Sequence, residues 1–110
     1  MKEKAIIPSL REKRRYLVYR ILSEEKLSNN NVKKAIEYAC SSFMGELDYS
    51  KAGIMIIGNT DTGVVRVNNK YLNKVRAGMM LIDSIDNHKV IIETLGVSGI
   101  LKKARSMITG

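Results

Sequence analysis

Pro8-Ser9-Leu10-Arg11-Glu12-Lys13-Arg14-Arg15-Tyr16-Leu17-Val18-Tyr19-Arg20-Ile21-Leu22 passes from a cationic leader into an apolar run with no linker between them. Ser9 followed three residues later by Glu12 has the form of a capping box, in which hydroxyl and carboxylate each satisfy a backbone N–H left open at a helix start. The pattern predicts a short helical turn over residues 9–14. Beyond it, side chains alternate at period two: Tyr16, Val18 and Leu22 point one way, and Leu17, Tyr19 and Ile21 the other. Both sets are apolar, which is the profile of a central strand covered on both faces. The rest of the chain must therefore supply two covers.

A chain of 110 residues, 45% of them apolar, can bury roughly two thirds of the surface its unfolded form exposes. It reads as one domain over residues 1–110, with 1–8 a loosely ordered leader. Nineteen Lys and Arg against eleven Asp and Glu leave a formal net charge of +8, which favours a polyanionic partner through steering and phosphate neutralisation. The sequence carries no long apolar run, signal-peptide pattern or lipidation motif, so the expectation is a soluble cytoplasmic protein that does not enter a membrane. Cys40, the single cysteine, has no partner for an internal disulfide and no Cys or His at zinc-ligand spacing; it falls in an apolar helical stripe and reads as an inert core residue. His88, the single histidine, lies in Asp86-Asn87-His88-Lys89 and reads as a solvated residue in a turn between a helix and a strand. No side chain is nominated as acid, base, nucleophile or metal ligand, and no cofactor bound by the protein is expected.

After the first strand, Asn29-Asn30-Asn31 offers N-caps for a helix whose Val32, Ile36, Ala39, Cys40, Phe43 and Leu47 line one face. Gly45 frays or ends it, and Asp48-Tyr49-Ser50-Lys51-Ala52-Gly53 reads as a connection to a second strand, Ile54-Met55-Ile56-Ile57. Gly58-Asn59-Thr60-Asp61-Thr62-Gly63 suits a tight turn into a third strand, Val64-Val65-Arg66-Val67, so the pair is a hairpin. That loop joins strand to strand and lacks a Lys-Ser/Thr ending, unlike a phosphate-cradling loop. Asn68 or Asn69 caps a second long helix with Leu72, Val75, Met79 and Ile82 inward. A fourth strand covers 89–95, and Ser98 caps a closing helix over 99–108, with Leu101, Ala104 and Ile108 on one side and cations on the other. Strand, helix, strand, strand, helix, strand is the ferredoxin-like order: an α+β fold with an antiparallel sheet, its first and third strands central, here with an added short N-terminal helix and a C-terminal helix.

Leu10-Arg11-Glu12-Lys13-Arg14-Arg15-Tyr16, Gly63-Val64-Val65-Arg66-Val67-Asn68 and Val97-Ser98-Gly99-Ile100-Leu101-Lys102-Lys103-Ala104 together resemble the archaeal ribonuclease P protein component 2 family. The resemblance covers nearly the whole chain and departs from the family pattern at Ile100, where threonine is expected. It implies a ferredoxin-like core similar to an RNA-recognition module, pairing with ribonuclease P protein component 3, and support of an RNA-catalysed cleavage that frees the 5′ end of transfer RNA. The implied partners are ribonuclease P RNA, protein component 3 and precursor tRNA in the holoenzyme, with a homodimer possible and Mg²⁺ carried by the RNA. A standard RNA-recognition module stacks bases on aromatics of its third and first strands, whereas the third strand here has none. Binding is therefore expected through phosphates and shape, with Arg11, Lys13, Arg14 and Arg15 at one end and Lys102, Lys103 and Arg105 at the other, and with Arg66 added from the third strand. Two other classes compete: an acylphosphatase-like hydrolase with Arg20 or Arg66 holding a phosphate, and a ligand-binding or structural assembly module. Because Tyr16, Val18 and Leu22 need cover that the closing helix supplies only in part, an apolar protein interface is expected as well.

Overall fold

The structure, a computed structural model, describes residues 13–58 and 61–109. Its first strand, β1 (Arg14–Ser23), divides the molecule into layers. Leu17, Tyr19 and Ile21 are buried in the main core with Val65 and Val67, while Val18 is buried on the opposite face with Val64 and Ala104. The strand is thus covered on both sides, as its double apolar alternation requires.

The remaining elements among the described residues are α1 (Asn29–Met44), α2 (Glu46–Ala52), β2 (Met55–Gly58), β3 (Thr62–Asn68), a 3-10 turn (Asn69–Tyr71) running into α3 (Leu72–Met80), β4 (Ser84–Ile85), β5 (His88–Ser98) and α4 (Leu101–Thr109). The sheet is antiparallel in the order β2-β3-β1-β5-β4. This is the expected ferredoxin-like arrangement, with β1 and β3 inside and a two-residue strand added at one edge. On one face α1 contributes Val32, Ile36 and Cys40 to the core, and α3 contributes Val75 and Met79. Burial pushes the Cys40 thiol up to about 11, in keeping with an inert core residue. On the other face α4 lays Ala104 over Val18 and Val64, with Tyr16, Leu101 and Ile108 half-buried around them. Fully burying one such aliphatic or aromatic side chain contributes about 1.5–3 kcal/mol, so both covers matter to β1. Between Val18 and Tyr19 the register on β5 jumps from Gly96 to Thr94. Leu95 is left without an opposite residue and turns partly outward, as the extra residue of a β-bulge does. No described helix is long and apolar enough to cross a membrane.

Several local expectations are corrected. Residues 9–12 of the predicted helical turn lie outside the described residues, and Arg14 belongs to β1, where its backbone pairs with Asn68. The N-cap of α1 is Ser28 and not one of the asparagines: its hydroxyl accepts the Asn31 N–H at 3.1 Å. Gly45, at φ 88°, ends α1, and the chain resumes at once as α2, so residues 48–53 are no plain connection. Glu46 and Asp48 in the first turn of α2 favour the new start electrostatically. This break turns Leu47 out of the stripe predicted for it, and Phe43, in the last turn of α1, is left uncovered, so both are exposed. Asn68 does not cap α3 with its side chain; its amide instead donates to the Lys51 carbonyl at 2.8 Å. Asp86 and Asn87 both adopt positive φ, the signature of a two-residue hairpin turn between β4 and β5. His88 therefore opens a strand and is half-buried, rather than sitting in a helix-to-strand turn. Ser98 likewise does not cap α4 directly, since its hydroxyl accepts the Ile100 N–H at 3.0 Å and the helix proper starts with the Ala104 N–H to Ile100 carbonyl bond.

Candidate nucleic-acid interface

Antiparallel pairing brings three distant segments to one end of the sheet. Arg14 lies opposite Asn68, and Tyr16 lies between Arg66 on β3 and Ser98 on β5. The Asn69 N–H donates to the Lys13 carbonyl at 2.6 Å, joining the start of β1 to the turn after β3. Gly99, just before α4, is so close to Arg15 that an added methyl group would stand 3.2 Å from its Nη1. Lys13, Arg14, Lys102 and Lys103 are exposed at this end, Arg15 and Arg66 are half-buried, and Arg105 lies exposed one turn further along α4. Arg11 lies outside the described residues. The leader and closing clusters, expected at opposite ends, therefore form one surface. Lys70, exposed in the 3-10 turn that follows β3, stands at the same end but toward the helical layer, its ammonium 5.9 Å from the centre of the Tyr71 ring. No local pattern marks Lys70 for this end; the bond from the Asn69 N–H to the Lys13 carbonyl brings its turn here.

None of these cations is ion-paired among the described residues. Arg66 has its Nε buried without a hydrogen-bond partner, so its guanidinium carries unspent donor capacity. Lys102 and Lys103 occupy the first turn of α4, which has no acidic residue. Cations there oppose the helix dipole, at about 0.3–1 kcal/mol each. The same placement adds their charge to the positive end of the helix, where phosphate is favoured. Lys74, by contrast, is held by Asp48 at 2.6 Å, and this contact lowers the Asp48 pKa while raising that of Lys74.

The Rpp14/Pop5 family model matches residues 15–109. The chain belongs to the Rpp14/Pop5 family. It is 37% identical over 107 residues to ribonuclease P protein component 2 of Thermococcus gammatolerans, covering 94% of this chain and 89% of that one. The protein of the same name from Pyrococcus furiosus is 34% identical over 105 residues, covering 93% and 88%, and that from Methanosarcina mazei is 30% identical over 102, covering 92% and 88%. The fold is similar to a chain in the cryo-EM structure of yeast ribonuclease MRP, with a TM-score of 0.66 and 11% identity over 90% of this chain and 88% of that one.

In this Rpp14/Pop5 protein the sheet face that an RNA-recognition module leaves open for bases is occupied by α4. Tyr16 is tucked under that helix, and Tyr19 is buried on the other side, its phenol pushed up to about 12 by burial. Stacking on the sheet beneath α4 is therefore closed, while the exposed cations at this end remain open to an anionic partner. Arg20 is bound by Glu93 through two bonds of 2.7 and 3.0 Å, which removes it as a free phosphate holder of the acylphosphatase kind.

Proposed function

We propose that this Rpp14/Pop5 protein serves as a non-catalytic protein subunit of ribonuclease P, an endoribonuclease that removes the 5′ leader of precursor tRNA, in a cytoplasmic ribonucleoprotein particle. Its cationic end screens phosphates of the catalytic RNA and holds that RNA's fold, while hydrolysis stays with the RNA and its Mg²⁺ ions. The observation that carries this reading is the convergence of Lys13, Arg14, Arg15, Arg66, Lys70, Lys102 and Lys103 on one end of a sheet whose outer face is covered there by α4. Arg11 and Arg105 extend the same surface in this reading. The exposed apolar residues Tyr38, Phe43, Leu47, Met80 and Leu81 on the helical layer suit a protein partner, here ribonuclease P protein component 3, with self-association when that partner is absent.

Reconstitution of precursor-tRNA cleavage with the catalytic RNA and component 3, with and without this chain, tests the reading. A Lys102/Lys103/Arg105 triple alanine variant keeps its melting temperature and loses stimulation at low Mg²⁺, with partial recovery at higher Mg²⁺ because divalent ions replace protein cations in screening phosphates. Wild-type stimulation by that variant at low Mg²⁺ would remove α4 from the RNA interface. Absence of stimulation by the unaltered chain under every Mg²⁺ condition would remove the function itself.

A further inference from the structure

At the end of the sheet away from the cations, an open cleft of about 1010 Å³ lies between the last residues of β1, Asp61 ahead of β3 and the β4–β5 hairpin. Its apolar part is Leu22 and Ile91, paired directly across β1 and β5 and 43% and 62% exposed. They continue the strand face that α4 covers nearer the cationic end, but the buried cluster beneath α4 gathers around Val18 and Val64 and does not include this pair. Around them stand Glu24, Glu25, Asp61 and Asp83, all exposed and none ion-paired among the described residues. Lys89 is the one lysine in the lining, and Arg20 is already bound by Glu93.

A chain of net charge +8 has thus gathered four of its eleven carboxylates around one apolar pair, with Lys89 as the one unpaired lysine or arginine beside them among the described residues, at the far end of the sheet from Lys13, Arg14, Lys102 and Lys103. Nucleic acid is repelled by such a rim. A neutral apolar partner would desolvate those carboxylates without replacing their water. The composition suits a polypeptide that brings an aliphatic side chain for Leu22 and Ile91 together with lysine or arginine for the rim. Asp83 also lines the hollow beside Tyr38, Phe43 and Leu81, and so stands at the edge between the cleft and the helical layer. We infer that this acidic-rimmed cleft docks a cationic segment of a protein partner, with aliphatic contact on Leu22 and Ile91 and ion pairs to Glu24, Glu25, Asp61 and Asp83. The charge polarity then makes the subunit an adaptor, RNA at one end and a basic protein at the other.

The test uses the full isotopically labelled chain, two synthetic peptides of equal length, alternating lysine–valine and alternating glutamate–valine, and a short RNA hairpin, each followed by amide NMR shifts. The lysine–valine peptide is expected to shift Leu22, Asp61 and Ile91 and to leave Arg14 and Lys102 in place, while the glutamate–valine peptide shifts none of them. Glu24→Gln/Glu25→Gln/Asp61→Asn/Asp83→Asn is expected to weaken the cationic peptide roughly tenfold or more, since each exposed pair contributes a modest share. Ile91→Ser, at an exposed position, gives a second variant that weakens binding without disturbing the fold. Absence of shifts at this end with millimolar cationic peptide, equal binding by both variants, or RNA hairpin shifts centred on Leu22 and Ile91 would each overturn the inference. These outcomes are independent of whether the chain stimulates RNA cleavage.

Discussion

Tyr19 stands directly opposite Gly63, and a methyl group at Gly63 would come within 2.9 Å of the tyrosine ring. The phenol is sealed in the core, and burial raises it from 10.0 to about 12. This fixes the sign of an alkaline effect. Between these values the unfolded chain gives up the phenolic proton while the folded chain keeps it, so stability falls as pH rises through that window and levels off above it. The loss attributable to Tyr19 is about 2–3 kcal/mol. Denaturant unfolding at pH 9 and near pH 12 measures it, and Tyr19→Phe is expected to show a correspondingly smaller drop. Equal drops in the two proteins would mean that Tyr19 ionises as freely folded as unfolded.

At the scale of elements, α4 is both a cover for the sheet and a carrier of cations, and the two duties separate by position. Ala104 is completely buried against Val18 and Val64, so Ala104→Leu has no room and is expected to cost about 1–3 kcal/mol by overpacking. Leu101 is only half-buried, which lowers the expected cost of Leu101→Ala to about 1–2 kcal/mol, beneath the range for a fully enclosed leucine. Thermal unfolding of the two variants, compared with Lys103→Ala as a surface control, ranks them. On the outer face, Lys102→Glu places a carboxylate where the helix dipole prefers one, and it is expected to raise stability by a few tenths of a kcal/mol up to about 1. The same change is expected to reduce stimulation of RNA cleavage. A variant more stable than wild type and poorer in function would identify Lys102 as a residue kept for its ligand at the expense of the helix.

Across the whole molecule, charge is segregated along the strands. Antiparallel pairing sets the start of β1 beside the ends of β3 and β5, so Lys13, Arg14, Arg15, Arg66 and the first turn of α4 share one end, while Glu24, Glu25, Asp61 and Asp83 share the opposite cleft. If the cationic end neutralises about four to six phosphates, log affinity for RNA plotted against log salt is expected to slope by roughly −3 to −5. Titrations at several salt concentrations measure the slope, and a value near zero would exclude a phosphate-led interface. Arg14→Ala and Lys70→Ala are each expected to flatten it by roughly one, without changing sequence preference.

Features that depend on neighbours along the chain follow from the residue pattern alone. The double apolar alternation of residues 16–22 required a strand with two covers, the helical spacing of Val32, Ile36 and Cys40 or of Val75 and Met79 identified the buried stripes, and the order of elements named the fold. The resemblance carried by 10–16, 63–68 and 97–104 reached the family as well. Short elements escaped it: α2 looked like a connection because it spans only seven residues, and β4 was invisible because two residues carry no period. The site was legible as residue types, but its assembly was not. Whether the leader and closing cations stand apart or together depends on the pairing of Tyr16 with both Arg66 and Ser98, and Lys70 enters only through the bond from Asn69 to Lys13. Register between strands tens of residues apart is set by how whole faces pack, a property of the folded sheet that no local pattern encodes.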